Sequence, residues 1–316
     1  MGRAWAGPGQ PQQRVIDYYN SWESRWSYAL VLRGVKHFGY YPPGRERLSM
    51  AEAQRLMVRR LAAALDLPGG ALLLDAGCGE GAVALQLARE RGWRVVGVDL
   101  LDWNVARAWR RPAAQALSGR VAFHAMDYTR LRFPDGFFDG IYTMETLVHA
   151  PDHHEALLEF HRVLRPGGRL VLVEYSVCPR EALTPLQRYG ADLIVAGSGM
   201  HSLPRFLHGS FPGMLARAGF TEVAVEDLTP RVMPMLRRLA TIFRLPYRLV
   251  ELLGLQRVFI NATAAVEGYR NLKDGDLWRY NIVTARKAAA QLGGAEPPRE
   301  SAAQGVCGRA WSSPST

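Results

Sequence analysis

The chain has 316 residues, 48% of them hydrophobic and 22% charged, with 39 Lys+Arg against 29 Asp+Glu and a formal net charge of +10. That apolar mass supports a full core in one large or two modest domains and excludes a disordered, collagen-like, coiled-coil or disulfide-framework chain. Only Lys36, Lys273 and Lys287 are lysines, and the arginines are scattered beside many alanines, so the charge reads as composition rather than as a nucleic-acid-binding strip.

Cys78, Cys178 and Cys307 are odd in number and widely spaced, with no CxxC pair, so neither a metal site nor a stapled secreted scaffold is indicated. Met1 to Arg14 is polar and rich in Gly, Pro and Gln, and no run of about 18 apolar residues occurs, so neither a signal peptide nor a membrane span is expected. The expectation is a cytoplasmic location, with peripheral contact to a membrane left open.

Along the chain, an aromatic-rich leader precedes a helix expected over Met50–Leu65. Short aliphatic or β-branched runs then alternate with helical stretches. The runs Ala71–Asp75, Arg94–Asp99, Val121–His124, Phe138–Thr143 and Arg169–Glu174 read as strands, and Ala82–Arg91, Asn104–Leu117 and His153–Leu164 as helices. That alternation predicts βαβ units, hence an α/β fold with a doubly wound, mostly parallel sheet covered on both faces. Thr221–Asp227 reads as a sixth strand and Trp278–Ala285 as the last, with a helical insertion at about 229–275 between them. An Ala-, Gly-, Pro- and Ser-rich tail over 288–316 is expected to be disordered. The expected division is a helical lid over 1–66, a ligand-binding domain over 67–287, and the tail. His153 and His154, at the start of an outer helix, are expected to be solvated.

The chemistry begins at Asp75-Ala76-Gly77-Cys78-Gly79-Glu80-Gly81. There the first strand runs into a glycine-rich turn that opens a helix, the position at which an open α/β sheet offers its ligand crevice. Gly77, Gly79 and Ala82 satisfy G-x-G-x-x-G/A, so a nicotinamide or flavin oxidoreductase is an open alternative. Asp75 and Glu80 argue against it, because carboxylates repel a diphosphate strongly in a crevice of reduced dielectric. A cation suits them. S-adenosylmethionine carries a sulfonium and an α-ammonium but no phosphate, and a helix N-terminus can receive its α-carboxylate. Asp99, 22 residues beyond Gly77, closes the second strand at the spacing from which an acid meets ribose hydroxyls in either reading. Asp127 follows the third strand and can accept from an adenine amino group. Each aspartate alone could be a cap or turn residue, but three at strand ends together favour a nucleoside.

The turn Asp75 to Gly81, Asp99, Asp127, Phe138-Asp139-Gly140-Ile141-Tyr142 and Val163-Leu164-Arg165-Pro166-Gly167-Gly168-Arg169 together resemble the successive motifs of class I S-adenosylmethionine-dependent methyltransferases. The resemblance implies a seven-stranded sheet with an antiparallel last strand, S-adenosyl-L-methionine as cofactor and S-adenosyl-L-homocysteine as product. It implies a cofactor site at Asp75, Gly77, Gly79, Asp99, Leu100, Asp127, Tyr128 and Glu145. Pro166 would stop the preceding helix, and Gly167 and Gly168 allow a tight reversal into the fifth strand. Tyr18-Tyr19-Asn20, Trp22, Trp26, His37-Phe38-Gly39-Tyr40-Tyr41 and Glu145-Thr146-Leu147-Val148-His149-Ala150-Pro151 resemble segments of the sterol C-methyltransferase and tocopherol methyltransferase group. So do Gly197-Ser198-Gly199-Met200 and Ala218-Gly219-Phe220. The aromatic run of the sterol enzymes is replaced by Tyr28-Ala29-Leu30-Val31-Leu32-Arg33-Gly34, which points away from a sterol toward another isoprenoid, a secondary metabolite or an alkaloid.

Methyl transfer is an in-line displacement that needs the acceptor about 3 Å from the methyl carbon with solvent excluded. Glu145 and His149, a helical turn apart, are the candidate catalytic pair. A buried carboxylate and aromatic faces shelter a cation developing on a carbon acceptor, and His149 can serve as general base for oxygen or nitrogen. Tyr19, Trp22, Trp26, His37, Tyr40 and Tyr41 read as a substrate lid, against the plainer alternative of core packing. In the insertion, Met233, Met235, Leu236, Leu239, Ile242, Phe243, Leu245 and Leu249 are interleaved with Arg237, Arg238, Arg244 and Arg248. That pattern suits a cap over an oily acceptor pocket, a basic face resting on anionic lipid over 231–253, or a helix pair packed on the sheet edge. A nucleic-acid methyltransferase is a further alternative, but Thr143-Met144-Glu145-Thr146 stands where an Asn-Pro-Pro-Tyr-like segment would follow the fourth strand.

Overall fold

A computed structural model describes residues 9–32, 34–273 and 276–289, so the tail expected over 288–316 lies almost wholly outside the described residues. Two helices, α1 (Gln10–Asn20) and α2 (Trp22–Leu32), lead through an irregular segment to α3 (Met50–Leu65). α3 starts where expected because Ser49 and Glu52 form a reciprocal capping box, each side chain accepting the other's backbone N–H.

Then follow β1 (Leu72–Ala76), α4 (Ala82–Arg91), β2 (Arg94–Asp99), α5 (Asp102–Arg110), α6 (Pro112–Ala116), β3 (Val121–Ala125) and β4 (Phe138–Met144). After them come α7 (His153–Val163), β5 (Leu164–Val177), α8 (Pro185–Gly197), α9 (Phe211–Arg217), β6 (Phe220–Asp227), α10 (Thr229–Leu252), α11 (Ile260–Lys273) and β7 (Trp278–Lys287). The single helix expected over 104–117 is two, because Pro112 forces an extended Arg111 before it and opens α6 as its first residue. His153 is buried rather than solvated: its ring packs on Phe206, and Nδ1 lies 3.3 Å from Ser202 Oγ.

The seven strands form one sheet in the order β3-β2-β1-β4-β5-β7-β6. Pairs from β3 to β5 are parallel, and β7 runs antiparallel to β5 and β6, as the resemblance implied. Leu73, Val95 and Val171 face one helical layer with Met57, Leu61 and Trp93, while Leu74, Val96 and Leu172 face the other with Phe160 and Leu215. Both faces are covered, which is why these strands read as continuous apolar runs. The reversal at Pro166-Gly167-Gly168 is absorbed into β5 as a bulge. Phe138 pairs with Leu164 but Gly140 with Arg169, and Gly167 takes a φ of +73°.

Strand order reverses between β1 and β4, so their carboxyl ends open a crevice at the switch point. α10 and α11 form a helical hairpin, and α11 also packs on α8 and α2. Met235 and Leu239 of α10 are buried against Tyr41 and Ala53, which joins the insertion to the amino-terminal segment over the carboxyl edge of the sheet.

Candidate active site

β1 delivers Asp75 to the crevice, and Gly77, Gly79 and Gly81 carry the turn at φ of +94°, +53° and +75°. These are left-handed values that side chains resist. A Cβ at Gly77 would stand 2.5 Å from Thr146 Cγ2, whereas Gly79 faces open space. The N–H groups of Gly77 and Cys78 donate to Val98 O at 2.9 Å, Gly79 N–H to Asp99 Oδ2 at 2.8 Å, and Gly81 N–H to Cys78 O at 2.9 Å. With those amides engaged, the place for a ligand carboxylate is the first turn of α4, where helix N–H groups lack an intrahelical partner.

Asp75 is buried, and its Oδ2 has no hydrogen-bond partner among the described residues. Burial pushes its carboxyl up to about 7 against the pull of the neighbouring Tyr142 hydroxyl, which is itself out of hydrogen-bond geometry with it. An unpaired carboxylate oxygen on a cavity wall is matched by a cationic ligand and opposed by a diphosphate. Glu80, the other acid invoked against a diphosphate, is already matched by Arg107 at 3.2 Å and Arg111 at 3.4 Å. Asp75 and Asp99, and not Glu80, therefore supply the negative charge that opposes a diphosphate here. Asp99 accepts from Gly79 N–H, from Leu101 N–H at 2.9 Å and from Asn104 Nδ2 at 3.0 Å, which ties the end of β2 to the glycine turn. Asp127 Oδ1 accepts from the Thr129 backbone and hydroxyl, and its Oδ2 accepts from Gln12 Nε2 of α1 at 3.3 Å.

All the residues expected to hold the cofactor, Asp75, Gly77, Gly79, Asp99, Leu100, Asp127, Tyr128 and Glu145, line one cavity of about 130 Å³. Gln12, Val15, Lys36 and Asn104 share that wall and were missed by sequence reasoning. The first three belong to the amino-terminal segment, whose spacing carries no information about the sheet below it. A second, mostly apolar cavity of about 300 Å³ adjoins the first, walled by α2, α8, α10 and α11 through residues such as Tyr28, Ile194, Leu236, Leu239 and Phe243. The two cavities share Lys36, His37 and Glu145.

Glu145 follows β4 in the left-handed region at φ +59°, a conformation that costs a residue with a side chain on the order of 1 kcal/mol. Its carboxylate accepts from Phe38 N–H at 2.7 Å, from the Tyr280 hydroxyl at 2.7 Å and from the Tyr175 hydroxyl. Burial raises its pKa against the pull of those three donors. His149 closes a 3₁₀ turn, Leu147–His149, so Glu145 and His149 do not stand one turn apart on an α-helix as expected. Gly199 O can only accept, so His149 Nδ1 carries the proton and Nε2 accepts from the Tyr19 hydroxyl at 3.1 Å. Burial pulls its pKa down to about 4 and keeps the ring neutral. His149 lines the cofactor cavity but not the larger one.

Sequence reasoning also passed over Glu174, buried on β5. Its Oε1 accepts from Thr146 N–H at 2.9 Å, Leu147 N–H at 2.7 Å and the Thr143 hydroxyl at 3.2 Å, which pins the segment carrying Glu145 and His149. Burial lifts its carboxyl up to about 8. The available signal was an acid closing an apolar run, Arg169–Glu174.

The expected substrate lid divides. Tyr19 reaches the cofactor cavity and His37 reaches both. Trp22 and Trp26 are 57% and 61% exposed and line neither cavity, because α2 turns Tyr28, Val31 and Leu32 inward and the tryptophans outward. Tyr41 is buried with Ala53, Met235 and Leu239, and Tyr40 packs on the core, so these two follow the plainer reading.

A family model described as a methyltransferase domain matches residues 74–172. The chain is 38% identical over 283 residues to the S-adenosyl-L-methionine-dependent Diels-Alderase iccD of Talaromyces variabilis, spanning 87% of this chain and 95% of that one. It is 32% identical over 224 residues to Methyltransferase GfsG of Streptomyces halstedii, spanning 70% and 78% of the two chains. The chain belongs to the S-adenosylmethionine-dependent methyltransferase family. S-adenosyl-L-methionine is its cofactor, and the oxidoreductase alternative is set aside, in keeping with the unpaired Asp75 oxygen. The crystal structure of the [4+2]-cyclase SpnF matches with a TM-score of 0.70 and 26% identity, covering 90% of this chain and 98% of that one.

Proposed function

We propose that the protein moves a methyl group from S-adenosylmethionine to a small hydrophobic acceptor, of the isoprenoid or secondary-metabolite kind, held in the larger cavity. The observation that carries this reading is the shared wall, where Lys36, His37 and Glu145 border both the cofactor cavity and a larger apolar one. When bound, the cofactor supplies an electrophilic methyl group on its sulfonium. The chain supplies position, dehydration and charge. Asp75 takes the ammonium, Asp99 the ribose and Asp127 the adenine end. Glu145, fixed by three donors, offers negative charge at the boundary and shelters positive charge on an acceptor. His149 is a weak base at a pKa of about 4, so its role here is to orient the Tyr19 hydroxyl. In this scheme residues 67–287 form the cofactor domain, and the lid (1–66) and the insertion (about 229–275) are its acceptor modules.

A second reading, cofactor-dependent cyclisation, is favoured by one observation: the relative aligned over 87% of this chain is named a Diels-Alderase. Incubating the protein with extracts and a methyl-labelled cofactor, followed by mass spectrometry, separates the two. A labelled product with S-adenosylhomocysteine supports methyl transfer. A product isomeric with its precursor, without S-adenosylhomocysteine, supports cyclisation. In either case Glu145→Gln should lower turnover more than S-adenosylhomocysteine affinity, and normal turnover would reduce Glu145 to a structural part.

The outer face of α10 supports peripheral membrane contact. Ile242, Leu245, Leu249 and Leu252 are exposed beside Arg244 and Arg248, while Leu236, Leu239 and Phe243 roof the acceptor cavity from within. Among the described residues no helix is long and apolar enough to cross a membrane. Cosedimentation with phosphatidylglycerol vesicles, lost in Leu245→Glu/Leu249→Glu, is the expected result, and equal recovery with neutral vesicles would refute it.

A further inference from the structure

Lys36 is one of only three lysines in the chain, and it lies in the irregular segment between α2 and α3. It lines the cofactor cavity, the acceptor cavity and a third, outer cavity of about 260 Å³, a position that no other described residue shares. Its ammonium stands 4.9 Å from the ring centroid of Tyr19, 5.7 Å from that of Tyr28 and 4.9 Å from that of Trp103. Asn104 Oδ1 accepts from it at 3.1 Å.

An ammonium carries three N–H donors, and aromatic faces attract its charge without accepting a directed hydrogen bond as a carboxylate does. Among the described residues no carboxylate forms an ion pair with it. Asp99, Glu80, Arg107 and the Cys78 thiol act on its charge, and the titratable Tyr19 and Tyr28 face it with their rings. Asp99 is engaged by three donors of its own, and Glu80 is paired with Arg107 and Arg111. The other Lys or Arg on the acceptor cavity, Arg180, is bound through both terminal nitrogens to Asp192. Lys36 is thus the cation at this junction with donors left to give.

We propose that Lys36 is the polar anchor of the acceptor cavity, where its ammonium binds an acidic hydroxyl of the acceptor, a phenol or enol, as the anion at the boundary with the cofactor. The proposal rests on the reading of the larger cavity as the acceptor site. Ionisation makes such an oxygen a nucleophile for methyl transfer and enriches a conjugated diene for cyclisation, so for an acceptor of this kind the ammonium of Lys36, rather than the carboxylate of Glu145, meets the charge. The proton leaves to solvent, and no covalent bond to Lys36 forms. A compact ammonium also fits among three rings where a broad guanidinium would not stack on all of them. Burial lowers the pKa of Lys36 and the nearby Asp99 and Glu80 oppose that shift without pairing with it, so an incoming anion stabilises the ammonium further.

The probe is 4-nitrophenol, whose phenolate has its own absorption band, titrated into full-length protein saturated with S-adenosylhomocysteine. Bound to the wild type, it should ionise about one pH unit lower than free in solution. Lys36→Met should abolish that shift and Lys36→Arg keep part of it, with cofactor-product saturation checked by calorimetry in each variant. A shift that survives in Lys36→Met, or a wild type that binds no phenolate, overturns the proposal. Should Lys36→Met lose S-adenosylhomocysteine itself, Lys36→Arg decides, and an arginine variant that is saturated but gives no shift also overturns it. A wild type unable to bind S-adenosylhomocysteine would instead overturn the cofactor reading beneath.

Discussion

Asp75 is where cofactor recognition should be visible in pH. Its carboxyl is buried, one oxygen is unpaired, and its pKa is raised to about 7. An ammonium bound there stabilises the ionised form, so binding below that pH must first release a proton. Affinity for S-adenosylhomocysteine should therefore fall about tenfold, about 1.4 kcal/mol, between about pH 8 and about pH 6. Above about pH 8 it should be nearly flat. S-adenosylhomocysteine retains the α-ammonium and lacks the sulfonium, so calorimetric titration with it reads this contact apart from the reacting centre. His37 and His149, each pulled down to about 4 by burial, titrate below the window. Asp75→Asn should bind weakly at every pH and without slope. A flat wild-type profile, or a slope that persists in Asp75→Asn, would refute the assignment.

Asp99→Ala removes the acceptor of Gly79 N–H, Leu101 N–H and Asn104 Nδ2. It should abolish most S-adenosylhomocysteine affinity while circular dichroism shows the fold retained, and unchanged affinity would end its role as the ribose acid. Gly77→Ala puts a Cβ 2.5 Å from Thr146 Cγ2 at a φ of +94°. The strain, about 1–3 kcal/mol, should lower Tm and weaken cofactor binding, and a variant that melts and binds like the wild type would contradict the turn geometry. Glu174, raised to about 8, binds its proton more tightly folded than unfolded. Its contribution is full below the ordinary carboxyl pKa and is lost as pH rises toward about 8. Wild-type Tm should fall over that interval and Glu174→Gln should flatten the fall, whereas parallel melting curves would exclude Glu174 as the cause.

Much of the fold was legible because its signals are local. β2 was bounded correctly at Arg94–Asp99 and α4 at Ala82–Arg91, since a continuous apolar run and a helical stretch each stop at a polar or glycine residue. The failures came where one residue redirects the backbone: Pro112 splits a helix, and the bulge at Gly167 replaces a simple reversal. At the site, the strand-end acids reached the expected cavity because a parallel sheet places every strand's carboxyl end on one edge. The lid was harder to read. Trp22, Trp26 and Tyr28 all lie on α2, yet only Tyr28 faces a cavity, and composition does not reveal which side of a helix its neighbours cover.

By itself the sequence determined the α/β alternation, the glycine turn, and acids at Asp75, Asp99 and Asp127 suited to a nucleoside cation, because these depend on residues adjacent along the chain. Only the tertiary structure decided that Glu80 is neutralised by Arg107 and Arg111, that His149 spends its free lone pair on Tyr19, and that Lys36, His37 and Glu145 form the wall between two cavities. Those facts join residues as far apart as Tyr19 and His149, 130 positions in the chain. Which partner a buried polar group finds is set by packing between distant elements, and one sequence read alone carries no measure of that distance.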